Sequence, residues 1–358
     1  MSQHVSATSP LPRFLRACRR LPVDATPVWF MRQAGRYMPE YQAVRAKYSL
    51  LEITRRPDVA AEVTLQPVDV LGVDAAILFA DILLPAEAMG LQLEFVPGKG
   101  PTFHNPVRTA DDIARLRRPD ITADLGHVLE AVRLTRQALE GRGVPLIGFA
   151  GGPFTVASYM VEGGPSRHYR TTKTMMYAAP DLWHALMDKL SDTLAAYLVG
   201  QVEAGAQAVQ MFDSWVGVLS VPDYRRYVLP YSRRVLQAAQ ETGVPVIHFG
   251  TGTSHLLEAM QEAGGTVMGI DWREPLDRAA SRLGNAPLQG NLDPLALFAP
   301  TRELAAQVEG VLRRAPRRGH IFNLGHGILP DTPVEAVRDV VAMVHERTAA
   351  ADYADATD

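Results

Sequence analysis

Eight short apolar runs, spaced by stretches of helical periodicity, constrain this chain more than any other feature. They are PVWFM (27–31), AAILF (75–79), PLIGFA (145–150), AVQMFD (208–213), PVIHFG (245–250), VMGID (267–271), PLQGNL (287–292) and HIFNLG (320–325). Most end at or beside Gly, Asp or Asn, and the apolar positions are consecutive rather than alternating. Strands buried on both faces of a parallel sheet have this pattern. Helical spacing fills the intervals: Leu129, Val132 and Leu139 precede the third run, Leu194, Leu198 and Val202 the fourth, and Leu304 to Leu312 the eighth. Strands alternating with helices imply βαβ units, and eight of them imply a closed (β/α)8 TIM barrel. An open doubly wound sheet is the alternative. It normally carries a GxGxxG turn after its first strand, and PVWFMRQAGR has none.

The chain of 358 residues suits one such barrel with insertions in its first half. One insertion, LQLEFVPGKGPTF (91–103), alternates around Gly98-Lys99-Gly100 and reads as a hairpin outside the barrel. No composition break or repeat divides the rest. The reading is a single α/β domain over residues 10–348, with frayed tails at 1–9 and 349–358.

Charge and cysteine content narrow the function classes. A net charge of −3 argues against a protein-wide basic field for nucleic acid or an anionic membrane, but leaves room for a local basic pocket. No run of about 18 apolar residues suggests a membrane span, and the N-terminus lacks the apolar region of a secretory signal. Cys18 is the single cysteine, so an intrachain disulfide or a cysteine-rich zinc site is excluded and the expected compartment is the cytoplasm. The basic residues are 32 Arg against 4 Lys, a ratio that reads as compositional bias. No HExxH, Walker or GxSxG motif occurs.

Active sites of barrels form at the C-terminal ends of their strands, which turns the eight runs into a candidate rim. Arg32-Gln33-Ala34-Gly35-Arg36 follows the first, a pattern suited to clamping an anion or simply to pairing with surface carboxylates. Asp81 follows the second, placed either to cap the next helix or to face the mouth. Tyr159 lies beyond the third, Phe212-Asp213-Ser214 closes the fourth, and His326 stands between Gly325 and Gly327 after the eighth. His248, within HFG, reads as a core or supporting histidine. Two arginines, an aspartate, a tyrosine, a serine and a histidine suggest a polycarboxylate or phosphate substrate and acid–base or electrostatic catalysis without a metal.

Six segments then resemble one family. PVWFMRQAGRYMPEY (27–41) is similar to the first signature of uroporphyrinogen decarboxylases, and GFAGGPFTVASYMVEGG (148–164) to the second. FADILLPAEAMG (79–90), QMFDSWVGVLS (210–220), PVIHFGTG (245–252) and NLGHGILPDTP (323–333) fit as well, and the resemblance spans about residues 11–347. It implies a cofactor-free barrel enzyme, a cytoplasmic homodimer, that converts the four acetate side chains of uroporphyrinogen III to methyl groups, giving coproporphyrinogen III. It also implies substrate contacts at Arg32, Gln33, Ala34, Gly35, Arg36, Asp81, Tyr159, Ser214 and His326. Phe212 would lie against the macrocycle, and the catalytic set would be Asp81, Arg32 and Arg36. Tyr41 stands where some members carry phenylalanine. Two other readings compete: a corrinoid-linked methyltransferase of the same fold, which needs His and Cys zinc ligands, and a non-catalytic tetrapyrrole carrier, which has no use for an aspartate aimed at ring nitrogens.

Overall fold

The computed structural model describes residues 11–349. The expected tail at 1–9 and positions 350–358 of the other lie outside the described residues. Seven parallel strands form one sheet in the order β1 (Ala76–Ile77), β4 (Leu146–Gly151), β5 (Ala208–Asp213), β6 (Val246–Gly250), β7 (Val267–Gly269), β8 (Leu288–Gln289) and β9 (His320–Ile321). Strands neighbouring in the sheet follow one another along the chain, apart from a hairpin that intervenes between β1 and β4. This hairpin pairs β2 (Leu93–Val96) with β3 (Gly100–Phe103) in antiparallel register, within the segment expected to turn back on itself.

The apolar runs are buried on both faces, as their unbroken hydrophobicity requires: every residue of β4, β6 and β7 is buried. The intervening helices turn their apolar positions inward. Gly126–Ala138 buries Val128, Leu129 and Val132, Pro180–Glu203 buries Leu190, Leu194 and Leu198, and Thr301–Arg314 buries Leu304, Val308 and Val311. A helix with one apolar stripe has no other way to shield it than to lie on the sheet. Among the described residues, no helix is long and apolar enough to cross a membrane.

The first expected strand, 27–31, departs from the expectation. It forms no ladder but a single parallel bridge, Val28 to Phe322, with Phe322 N–H donating to Pro27 O at 2.8 Å and Trp29 N–H to Phe322 O at 3.3 Å. On its other side Asp74 N–H donates to Val28 O at 2.7 Å, just before β1. The cause is side-chain competition. Val28 N–H is taken by the Asp74 carboxylate at 2.7 Å and Met31 N–H by Asn323 Oδ1 at 3.1 Å, so two ladder donors go to side chains. Val28, Trp29 and Phe30 are nonetheless fully buried.

Inside the curl of the sheet runs a chain of amides. Trp29 Nε1 donates to Gln289 Oε1 at 3.0 Å, and Gln289 Nε2 donates to Gln210 Oε1 at 2.9 Å. All three side chains are buried, so each polar atom left alone would cost about 1–3 kcal/mol, and their mutual bonds fix the register of β5 against β8 and the 27–31 segment.

Candidate active site

The loops after the strand C-termini converge on one mouth. The segment after Phe30 turns sharply: Gln33 N–H donates to Phe30 O at 3.0 Å, and the Gln33 side chain accepts from Phe30 N–H at 3.0 Å and donates to Ala75 O at 3.1 Å. Tyr37 Oη donates to Gln33 O at 2.6 Å. The Gln33 side chain is therefore buried and committed to holding the turn. Ala34 and Gly35 are half-buried beside it, while Arg32 and Arg36 are thrown outward. Arg32 reaches that position with φ of 60°, in the left-handed region that costs an L-residue about 1–2 kcal/mol. Strain of this kind persists only where the surroundings impose it.

Gly327 is one of those surroundings. A Cβ on it would stand 2.5 Å from Arg32 Cδ and 2.7 Å from Cγ, so the missing side chain is the groove in which the arginine stem lies. The glycine beside His326 thus serves Arg32, from the opposite end of the chain.

Asp81 follows β1 and combines the two roles its position allowed. Oδ1 accepts Leu83 N–H at 2.8 Å, a turn-type bond that leads into the short helix Leu84–Ala88. Oδ2 has no protein hydrogen bond among the described residues. Burial pushes the carboxyl up from 3.8 to about 6; the Leu83 N–H and the Arg32 charge pull it down, and Glu87 pushes it further up. Perturbation by burial together with a specific charge partner makes this carboxylate a candidate functional group.

Tyr159 sits on the helix Pro153–Glu162 with its ring stacked on Trp215 at 4.0 Å between centroids. Burial raises its phenol, as does the charge of Asp81, while Arg32 opposes both. His326 follows β9. Its Nδ1 accepts Gly327 N–H at 2.6 Å, so the neutral ring carries its proton on Nε2. Burial, and then the charges of Arg32 and Arg273, depress the imidazolium to about 4. The neutral form is the one present at pH 7. Asp81, Tyr159 and His326 thus all lie within electrostatic reach of Arg32. Ser214 is half-buried at the end of β5, next to Phe212, whose ring meets Phe149 edge-on at 5.6 Å and Phe249 at 6.0 Å. Three strands contribute one apolar wall. Arg36 is exposed, its carbonyl held by Gln42 Nε2 at 2.7 Å. His248 is a core residue, with Nδ1 against Met260 O at 3.1 Å and Gly264 O at 3.2 Å.

Residue-by-residue reading of the sequence misses the scaffold behind Tyr159. Asp213 Oδ1 accepts both Thr155 N–H at 3.0 Å and Thr155 Oγ1 at 2.7 Å, and Thr155 Oγ1 accepts Trp215 N–H at 3.1 Å. A carboxylate on β5 therefore closes the N-terminus of the Tyr159 helix and fixes the indole on which Tyr159 rests. Gly152 permits this: a Cβ there would lie 2.4 Å from Asp213 Cγ. The signal available was Gly151-Gly152-Pro153, a close backbone approach immediately before a helix. Among the described residues no group of three or more His, Cys, Asp or Glu side chains gathers as metal ligands would.

Known proteins give the same direction. The family model described as uroporphyrinogen decarboxylase matches residues 9–347. A uroporphyrinogen decarboxylase of Sorangium cellulosum is 59% identical over 335 residues, covering 93% of this chain and 95% of that protein. One from Solibacter usitatus is 55% identical over 336 residues, covering 93% and 97%. Among solved structures, a methyltransferase from Methanosarcina mazei superposes with a TM-score of 0.75 at 23% identity, over 94% of this chain and 98% of that one. At that identity the likeness is one of fold.

Proposed function

The chain belongs to the uroporphyrinogen decarboxylase family, and from that premise we propose how its mouth carries out the decarboxylation of uroporphyrinogen. The substrate is uroporphyrinogen III, whose four acetate side chains each lose carbon dioxide to give coproporphyrinogen III. An acetate that loses carbon dioxide leaves an electron pair on its methylene carbon. Protonation of the neighbouring pyrrole carbon turns the ring into a cation that takes up this pair, and a second proton on the methylene carbon completes the methyl group. Departure of the first proton from the ring carbon restores the neutral pyrrole, so one proton is consumed for each carbon dioxide released. The substrate itself is the electron sink, so no cofactor is needed for the step.

The protein's task is then electrostatic. A macrocycle bearing eight carboxylates requires fixed cations, which Arg32 and Arg36 supply at the rim. The ring becomes positive only during reaction, and Asp81 answers that charge: its free Oδ2 accepts from the inward-facing pyrrole N–H groups while Oδ1 stays anchored to Leu83 N–H. The half-buried Asp81, held next to Arg32 and raised to about 6, is the observation that carries this reading. Tyr159, Ser214 and the neutral His326 hydrogen-bond side-chain carboxylates, Phe212 lies against the macrocycle, and Gln33, Ala34 and Gly35 bring the arginine turn up to it.

The bridge of Val28 to Phe322 on one side and the backbone hydrogen bond from Asp74 on the other support a closed barrel with this segment in the eighth place. The seven-stranded parallel sheet and the continuous core around it support one domain over residues 10–348. The family resemblance supports a cytoplasmic homodimer. The experiment is turnover of uroporphyrinogen by chelator-treated protein under anaerobic conditions. Successive loss of four carboxyl groups is the expected result. Tight binding without loss of carbon dioxide would make the protein a carrier, and a requirement for added metal would overturn the cofactor-free step.

A further inference from the structure

We propose that Arg273, on the loop after β7, is a third fixed guanidinium of the mouth that binds a peripheral carboxylate of the substrate; the proposal rests on the reading of the site given above. Arg32 and Arg36 leave most of the substrate's eight carboxylates without a fixed cation, so the rim needs more than the residues the sequence singles out. Arg273 meets that need by geometry. Its Nη1 donates to Asp271 Oδ2 at 2.8 Å, its guanidinium lies 3.8 Å above the Trp272 ring centre, and its own N–H donates to Asp271 Oδ1 at 2.9 Å. Asp271 is in turn held by Gly252 N–H, and its carbonyl accepts Asn291 Nδ2 at 2.8 Å. The guanidinium is therefore fixed before any ligand arrives, and little rotamer freedom remains to be lost on binding.

What separates this pair from a structural ion pair is its asymmetry. The Asp271 side chain is 1% exposed and the Arg273 side chain 50%. An arginine present only to neutralise a buried carboxylate would be drawn in after it. Instead the guanidinium uses one nitrogen on Asp271 and has no other hydrogen bond from its side chain among the described residues, so the remaining donors match the two oxygens of a carboxylate. Its loop also borders the site. Gly325 lies so close to Trp272 N that a Cβ would approach within 2.2 Å, which packs the His326 loop directly on the Arg273 loop. Arg32 and Arg273 both depress the His326 imidazolium, and the charge of Asp271 acts against them. A substrate carboxylate at this neutral histidine would lie within electrostatic reach of both guanidiniums.

The test measures KM and kcat for uroporphyrinogen, with thermal stability, in wild-type protein and in Arg273→Ala, Arg273→Lys and, as control, Arg278→Ala. Arg278 is an exposed arginine one turn further on, at 3.5 Å from Glu274. Arg273→Ala should raise KM about tenfold, the effect of losing one charge-assisted contact of roughly 1.4 kcal/mol, with a smaller change in kcat. Lys should recover part of the loss, since it restores charge without the planar fork, and Arg278→Ala should leave KM unchanged. An Arg273→Ala variant with lowered stability and wild-type KM would overturn the proposal and leave Arg273 as a prop for Asp271. Equal KM increases in Arg273→Ala and Arg278→Ala would overturn it too, by reducing the effect to net charge. Failure of the wild type to turn over uroporphyrinogen would instead strike the reading of the site, so the two failures are told apart.

Discussion

Replacing Asp81 by Asn separates what the residue does for the fold from what it does for the reaction. Asn keeps the size and an acceptor for Leu83 N–H, and removes only the charge. The folded carboxyl titrates at about 6 against an ordinary 3.8, so the native state binds this proton more tightly than the unfolded chain does. The ionised carboxylate thus costs stability above about pH 6, and the cost disappears as the pH falls toward 4. A shift of about 2 pH units corresponds to at most about 3 kcal/mol. Partial exposure and the desolvation of the Asn amide reduce this to about 1–2 kcal/mol, so the variant should be more stable than wild type at pH 7.5 and no more stable at pH 4. The reaction should respond in the opposite direction. If the carboxylate answers a charge present only in the transition state, substrate affinity stays within about tenfold while the single-turnover rate falls by about 10²–10³. Denaturant melts at the two pH values, a binding titration and anaerobic single turnover supply the four numbers. A rate near wild type would falsify the counter-ion role and leave Asp81 as the support of its own turn, a job Asn does nearly as well.

Arg36→Lys should weaken substrate binding by about 1–3 kcal/mol with the melting temperature unchanged, because an exposed rim arginine supports little core; unchanged affinity in a titration would place it outside the site. Gly327→Ala should cost about 10–10²-fold in kcat/KM, since the new Cβ would fall 2.5 Å from Arg32 Cδ and the guanidinium would be displaced. Its kinetics beside those of Arg32→Ala check this, and an Ala variant with full activity would show that Arg32 is free to move.

Sequence pattern reveals the sheet well where strands are long and buried on both faces. β5 spans the run at 208–213 and β6 begins one residue into the run at 245–250. It fails at 27–31, because the ladder donors there are claimed by Asp74 and Asn323, residues 46 and 292 positions away in the chain. Periodicity has no access to that competition. For the site the same limit applies. Strand-end position brings Arg32, Asp81, Phe212, Ser214 and His326 into view, yet Asp81 stays ambiguous in sequence because its turn-type bond and its unpaired oxygen coexist in one carboxylate. Thr155 with Asp213, and Arg273 with Trp272, stay hidden for a different reason. Their value lies in which atoms they hold, and a one-dimensional reading has no distances.

The pH dependence of kcat/KM, in wild type and in Asp81→Asn, tests the central claim most directly, because this ratio reports the ionisation of the free enzyme. With Asp81 required as the anion, wild-type kcat/KM should hold above pH 7 and fall through a single ionisation at about 6 as Asp81 takes up its proton. Asp213, also buried and raised to about 6, is the other carboxyl able to produce such a limb, and the variant retains it. The account predicts a low rate in Asp81→Asn that no longer falls through pH 6. A wild-type profile flat from pH 5 to 8, or an acid limb that survives in Asp81→Asn, would contradict it.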